Sequence, residues 1–466
     1  MLAAHADPRI DVPETTGRRA SSPRRRPTAA AWLACMGLAG LVAPGCEAMT
    51  DHGNPSAVAT TSADRTSAGG TSAGEEGPRD PSANNADVPT RSPLPDGVLP
   101  TELWHEGWIS LFDGRSLLGW TPGSRADWRV EDGAIVVSSG EKGLLCTQVP
   151  FADFRFHVDF LAEPRTNSGI FLRTPVRPTD PKSDCYELNI APSDNPFPTG
   201  SLVGRGRSTA DASAGKWRTF DVTVEGPRVR VRLDGADVLD YQDPSPLRAG
   251  RIGLQLNEGR VAFRNIRVQP LGLARLFDGR SLDGWKTYAD MPSRFTVTDE
   301  GWLHVRNGRG QLESAESYAD FILRLECRTH ARGLNSGVFF RCIPGETMNG
   351  YECQIHNAFH DGDRTKPVDQ GTGAIFRRAP ARVVASDDLE WTGITVIADG
   401  PRISVWVNGL LVTDWLDERA PHANPRNGLR LEPGTLMLQG HDETTDVSFR
   451  ELRIARLPGR GESNAP

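Results

Sequence analysis

Several kinds of chemistry leave signatures that this chain lacks. It has no His-Glu-x-x-His, no Ser nucleophile elbow, no phosphate loop and no dinucleotide fingerprint, which removes the common zinc peptidase, serine hydrolase, nucleotide and nicotinamide classes. It has no basic patch: the formal net charge is −7 over 466 residues. Nucleic acid is excluded as a partner, because phosphate binding needs clustered Lys and Arg. Lysine is scarce beside arginine, an imbalance that reads as coding bias. No stretch keeps a 3.6-residue apolar period, so long amphipathic helices are not expected. The apolar run at 28–42 is too short and too small-sided to span a bilayer.

What the chain does have is a repeat. Leu-Phe-Asp-Gly-Arg-Ser-Leu stands at 111–117 and again at 276–282, each time followed by Gly-Trp. The copies stay in step beyond it. Asn167-Ser-Gly-Ile-Phe-Leu-Arg matches Asn335-Ser-Gly-Val-Phe-Phe-Arg, Tyr186-Glu-Leu-Asn-Ile matches Tyr351-Glu-Cys-Gln-Ile, and Phe263-Arg-Asn-Ile-Arg-Val matches Phe449-Arg-Glu-Leu-Arg-Ile. A duplicated module is therefore present, at 104–270 and 271–458, each of ordinary domain size. The Asp-Gly of the repeated motif suits a turn and its Leu, Phe and Trp suit a core edge, so a structural role is expected for it.

The first 46 residues have the shape of a secretory signal: Arg18, Arg19 and Arg24 to Arg26, then the apolar run, then small residues before Cys46. Cys46 after small residues is also the pattern of a bacterial lipoprotein signal, so lipid anchoring at Cys46 and plain export both stand. Export to the periplasm or cell surface is the expectation. Residues 47–100, rich in Ser, Thr, Ala, Gly and Pro, cannot bury enough apolar surface to offset their ordering entropy and read as a disordered tether. Residues 459–466 read as a disordered tail. Of the seven cysteines, Cys342 and Cys353 belong only to the second copy, and Cys146 and Cys185 only to the first. Each pair is a candidate disulfide in an exported protein, with Cys327 left over; the alternative is five buried thiols.

Strand signals dominate. Phe154-Arg-Phe-His-Val-Asp-Phe-Leu alternates apolar and polar, and two alternating runs flank a Gly-Pro turn at 226–227 and again at 400–401. Asp234-Gly235 and Asn408-Gly409 read as tight hairpin turns. Many short strands with Gly-rich turns predict an all-β fold of two antiparallel sandwiches in tandem.

Tyr351-Glu-Cys-Gln-Ile-His is the segment richest in chemistry. On a strand, Glu352, Gln354 and His356 share one face and Tyr351, Cys353 and Ile355 the other. A carboxylate, an amide and an imidazole together read as a polar groove, the alternative being a solvent-facing edge strand. Leu438-Gln439-Gly440-His441-Asp442 precedes the last strand. In the first copy His441 is replaced by Asn257 and Gln354 by Asn189, as expected if the second module alone does proton chemistry. Arg341 is expected either to bind a substrate or to pair with Glu352.

At these residues the chain resembles the 3-keto-disaccharide hydrolase domain family. The motifs are Leu-Phe-Asp-Gly…Gly-Trp, Asn-Ser-Gly-Val-Phe-Phe-Arg, Gly-Tyr-Glu-x-Gln-Ile and the terminal Phe-Arg-Asn-Ile-Arg, and the resemblance covers nearly all of 104–457. The resemblance implies concanavalin A-like jelly rolls and cleavage of 3-keto sugars, a carbohydrate substrate as partner, and catalytic roles among Glu352, His441 and Gln354. Asn335, Arg341, Tyr351, His356, Gln439 and Asp442, with Glu187 and Asn167 of the first copy, are the expected substrate contacts. A divalent metal held by Glu352, His441 or His356 is chemically feasible, but no ligand spacing points to one. Two other readings remain open at this point: a non-catalytic carbohydrate-binding protein and a structural surface module.

Overall fold

The computed structural model describes residues 92–180, 182–210 and 214–458; the signal, most of the tether and the tail expected from the sequence lie outside them. Each copy is a jelly-roll sandwich of an eight-stranded and a five-stranded antiparallel sheet. In the second copy the five-stranded sheet runs Trp285–Lys286, Gly310–Tyr318, Gly434–Gly440, Ser336–Cys342, Tyr351–Ile355, and the first copy repeats that order. The alternating strands bury one face: Phe154, Phe156, Val158 and Phe160 of the first predicted strand all enter the core. One helix, Thr101–Glu106, was not expected from the sequence.

The turns form as their residues require. Asp234 and Gly235 have φ of 51° and 83°, and Asn408 and Gly409 have 47° and 77°. This double left-handed turn matches strand twist and favours Asn or Asp followed by Gly. The repeated Leu-Phe-Asp-Gly motif is a structural turn in both copies. Asp113 Oδ1 accepts from the backbone N–H of Arg115 and Ser116, as Asp278 Oδ1 does from Arg280 and Ser281. The Trp of each motif folds back, with Trp120 Nε1 donating to Leu111 O and Trp285 Nε1 to Leu276 O.

Residues 92–100, assigned to the tether from composition, are tied down. Leu99 N donates to Asn408 O at 3.1 Å, and Arg364 Nη2 donates to Ser92 O at 2.8 Å. The helix follows, and its Trp104 lies over Gly393, where a Cβ would come within 2.6 Å of the indole. These contacts are with the second module, whose core also takes Val98, so the segment is held by a partner distant in sequence. The two modules also share a core. Ile322, Ile397, Trp406 and Leu411 of the second join the first module's apolar cluster, and Trp406 Nε1 donates to Ser110 O.

The disulfide expectation is corrected. Cys146, Cys185, Cys327, Cys342 and Cys353 are all buried thiols outside any disulfide. Cys353 points into the sandwich core, whereas Cys342 packs on the outer face with Phe339, Met348 and Met437, so the sheet separates them. Cys146 and Cys185 share an apolar cluster with Leu144 and Phe171, and burial pushes both thiols up to about 12. A buried thiol behaves as a small apolar side chain with little thiolate to oxidise. Reducing agent is therefore expected to leave Tm unchanged. A drop of several degrees in a thermal melt would restore the disulfides.

Candidate active site

The outer face of the second module's five-stranded sheet carries a cavity of about 540 Å³. Glu352 and Gln354 reach it from Tyr351–Ile355, and Gln439 and His441 from the end of Gly434–Gly440. The strand parity expected from the sequence places Glu352 and Gln354 outward and Tyr351, Cys353 and Ile355 in the core. Gly337 explains the Asn-Ser-Gly motif. A Cβ there would lie 2.8 Å from Glu352 Oε1 and 3.2 Å from Gln439 Oε1, so only glycine lets those two side chains converge above the sheet. Ser336 Oγ locks the neighbouring strand by donating to Gln439 O at 2.8 Å.

The polar atoms are poised rather than satisfied. Asn335 Oδ1, Gln354 Oε1 and Gln439 Oε1 are buried without hydrogen-bond partners, and all three residues line the cavity. Buried acceptors left unpaired cost free energy, so the cavity is built for a ligand rich in donors. Glu352 is pushed up to about 7, first by burial and then by the charge of Asp369, while Arg426 and Arg377 pull it back. A carboxyl poised near neutrality is what a general base requires. His441 sits half-exposed, its Nδ1 2.8 Å from Asp442 Oδ2. Asp442 orients that imidazole and does not itself line the cavity.

Other expected residues fall elsewhere. His356 shares the outward face but is buried behind the cavity beside Asp369 and Asp388; burial holds its pKa below the ordinary histidine value. Tyr351 borders the cavity, yet its hydroxyl donates to Asp417 Oδ2 at 2.8 Å and its ring stacks on Phe340 in the core. Arg341 is not a substrate ligand and does not pair with Glu352. It is fully buried, donating to Ala319 O, Gly400 O, Arg430 O and Asp320 Oδ1. Arg173 repeats this with Ala152 O, Gly226 O, Leu247 O and Asp153 Oδ1. Its retention in both copies therefore reflects the fold.

Sequence reasoning missed the cations and one carboxylate. Arg309, Arg377, Arg378 and Arg426 line the cavity. Asp369 accepts from Asn335 Nδ2 and Gln354 Nε2. Asp369, Gln370 and Arg377 all have left-handed backbone, at φ of 50°, 71° and 60°, on the loop that closes the cavity. Strain of this kind gathers at functional sites. The signal was a length difference: the Ile355-to-Thr372 connection is longer than its Ile190-to-Thr199 counterpart, and Asp369 lies in the longer one.

The first module keeps part of this surface. Gln255 Nε2 donates to Glu187 Oε1 at 3.3 Å, and burial raises the Glu187 carboxyl. Asn167 keeps the motif position, bridged to Glu258. Asn257, in place of His441, accepts from Lys142 Nζ at 2.7 Å, and Asn189, in place of Gln354, donates to Phe197 O. As for a metal, among the described residues Glu352, His356 and His441 do not bring their ligand atoms close enough together to share an ion.

None of the curated proteins matches the chain. Among solved structures, it is similar to a Parabacteroides distasonis protein provisionally designated a glycosyl hydrolase, at 21% identity over 38% of this chain and 100% of that one, with a TM-score of 0.34. It is similar to the carbohydrate-binding module CBM66 of Bacillus subtilis at 18% identity, over 32% and 95%, with a TM-score of 0.27. It is similar to lectin I-B4 of Griffonia simplicifolia at 14% identity, over 32% and 92%, with a TM-score of 0.26. The model of the 3-keto-alpha-glucoside-1,2-lyase-like domain matches twice, over 107–269 and 272–455, in the registers of the two sandwiches. The chain thus belongs to the 3-keto-alpha-glucoside-1,2-lyase-like domain family, in two tandem copies, and its function concerns carbohydrates.

Proposed function

We propose that the protein is an exported enzyme that cleaves glycosides of 3-keto sugars, with the second module active and the first accessory. The observation that carries this is Glu352, a carboxyl near pKa 7 in a cavity with unpaired acceptors and arginines. A ketone at C3 acidifies the C2 hydrogen. Glu352 takes that proton, and the electron pair of the C2–H bond forms an enolate whose oxygen faces the arginines. The enolate then collapses: a C1=C2 double bond forms, the C1–O bond to the aglycone breaks, and His441 protonates the departing oxygen. Water adding at C1, with a proton returning to C2, completes net hydrolysis without any change of oxidation state. Gln354, Gln439 and Asn335 accept hydrogen bonds from sugar hydroxyls, which fixes the C2–H bond toward the base. Arg377 and Arg426 stabilise charge that develops only on deprotonation, so they favour the transition state over bound substrate.

The signal-like pattern of the first 46 residues supports a site of action outside the cytoplasm, with Cys46 the point where a lipid anchor would attach. In the first module Asn257 and Pro196 stand where the second has His441 and Asp369. That module keeps a sugar-facing surface without the titrating partner, which suits binding rather than turnover.

The test is aglycone release from a 3-keto-glucoside and from its unoxidised parent by the full chain. Release from the keto form alone is the expected result. Equal release from both would exclude the ketone-dependent step. Binding without release from either would make the protein a lectin-like binder.

A further inference from the structure

The second module groups another set of reactive side chains on its other sheet. His304 stands on Leu303–Arg306, His330 directly follows Phe321–Thr329, and Asp446 opens Asp446–Arg456. These three strands are neighbours in the eight-stranded sheet. One ligand atom from each residue lies within 4.8 Å of the other two. His304 Nε2 is 2.7 Å from Asp446 Oδ1, His330 Nε2 is 2.8 Å from Ser448 Oγ, and the two imidazole centroids are 5.2 Å apart. Arg306 Nη2 lies 3.5 Å from the other carboxylate oxygen of Asp446.

The duplicated fold supplies an internal control. Leu303 pairs with Phe449 as Ile135 pairs with Phe263, so His304 corresponds to Val136, Ser448 to Ala262 and Asp446 to Arg260. His330 N donates to Asp446 O as Glu163 N donates to Arg260 O, so His330 corresponds to Glu163. In the first module Val136 and Ala262 join Ala134 in a buried apolar patch. The same sheet therefore assembles without two imidazoles and a carboxylate at these positions, and sheet packing does not account for them.

We propose that His304, His330 and Asp446 bind one divalent transition-metal ion of the zinc class. Two imidazoles and a carboxylate are a borderline donor set that suits zinc, with bonds of about 2.0–2.2 Å. All three residues are partly exposed, which leaves a fourth position to water. Burial holds His330 below the usual histidine range, against the opposite pull of Asp446. Ser448 and Arg306 hold the ligands from outside, as supporting partners of metal sites do. Residues 331–334 lead from His330 to Asn335, and Asp446 follows the turn that carries His441. The ion clamps the roots of both cavity loops.

The test is calorimetric titration of the chelator-treated full chain with Zn²⁺ alone, beside His304→Val, His330→Gln and Glu352→Gln. His304→Val installs the residue that the first module already tolerates, and each variant's fold is checked by its melt without metal. The expected result is one ion per chain whose affinity falls at least about a hundredfold in His304→Val and in His330→Gln, and is unchanged in Glu352→Gln. Should His304→Val not fold, His330→Gln decides alone. No binding by the wild type, or binding that the histidine substitutions leave intact, overturns the proposal. Loss in Glu352→Gln instead would move the ion to the cavity and overturn it as well.

Discussion

Glu352→Gln lowers ketone-dependent cleavage by about a thousandfold while the protein still folds. General-base removal typically costs about two to four powers of ten, and Gln keeps the shape of the acid without its basicity. The wild-type rate rises with pH as the carboxyl ionises around 7, the value to which burial and Asp369 push it. The same shift has a stability consequence of opposite sense. The folded protein holds this proton more tightly than the unfolded chain, whose Glu titrates near 4.5. The stabilisation is complete below that unfolded value and is lost as pH rises through about 7. Gln stays neutral throughout, so Glu352→Gln is more stable than wild type above pH 7, by up to roughly 3 kcal/mol at about 1.4 kcal/mol per pKa unit. The two proteins match near pH 4. Rate profiles and thermal melts across pH read both effects. An unchanged rate in Glu352→Gln would remove it as the base, and equal melts at pH 8 would show that its carboxyl is not buried.

Arg341→Ala destabilises the second module by about 3–5 kcal/mol, the size expected when one partner of a buried charged network is removed. The loss strands the carbonyls of Ala319, Gly400 and Arg430 and the carboxylate of Asp320, which the guanidinium joins at 2.7–3.2 Å. Arg341→Lys rescues little, because three donors on a flexible stem cannot reproduce a planar fork. Arg173→Ala does the same damage in the first module, since its guanidinium spans the equivalent four groups. Denaturant unfolding measures all three. A loss below about 1 kcal/mol in Arg341→Ala, with turnover abolished, would return Arg341 to the substrate.

Period-2 alternation, the Asn-Gly and Asp-Gly turns and the repeat were enough to predict two tandem sandwiches, because strand faces and turn dihedrals depend on neighbouring residues alone. The same parity put Glu352 and Gln354 on one face and Tyr351 on the other. Local pattern could not say which arginines line the cavity. Arg341 stands in a motif but turns inward to carbonyls more than twenty residues away, whereas Arg309, Arg377 and Arg426 stand in no motif and meet only where separate loops converge. The cysteines misled for a related reason: presence in one copy revealed co-occurrence, while pairing depends on the sheet face, and Cys342 and Cys353 occupy opposite faces. Residues 92–100 are held by hydrogen bonds and by Val98 packing on a module that begins far downstream, which their own composition does not encode. Sequence determined the fold and the face that carries the cavity; only tertiary packing decided which charges enter it, because burial and distance, not residue type, set whether a charge is spent on the fold or left for a ligand.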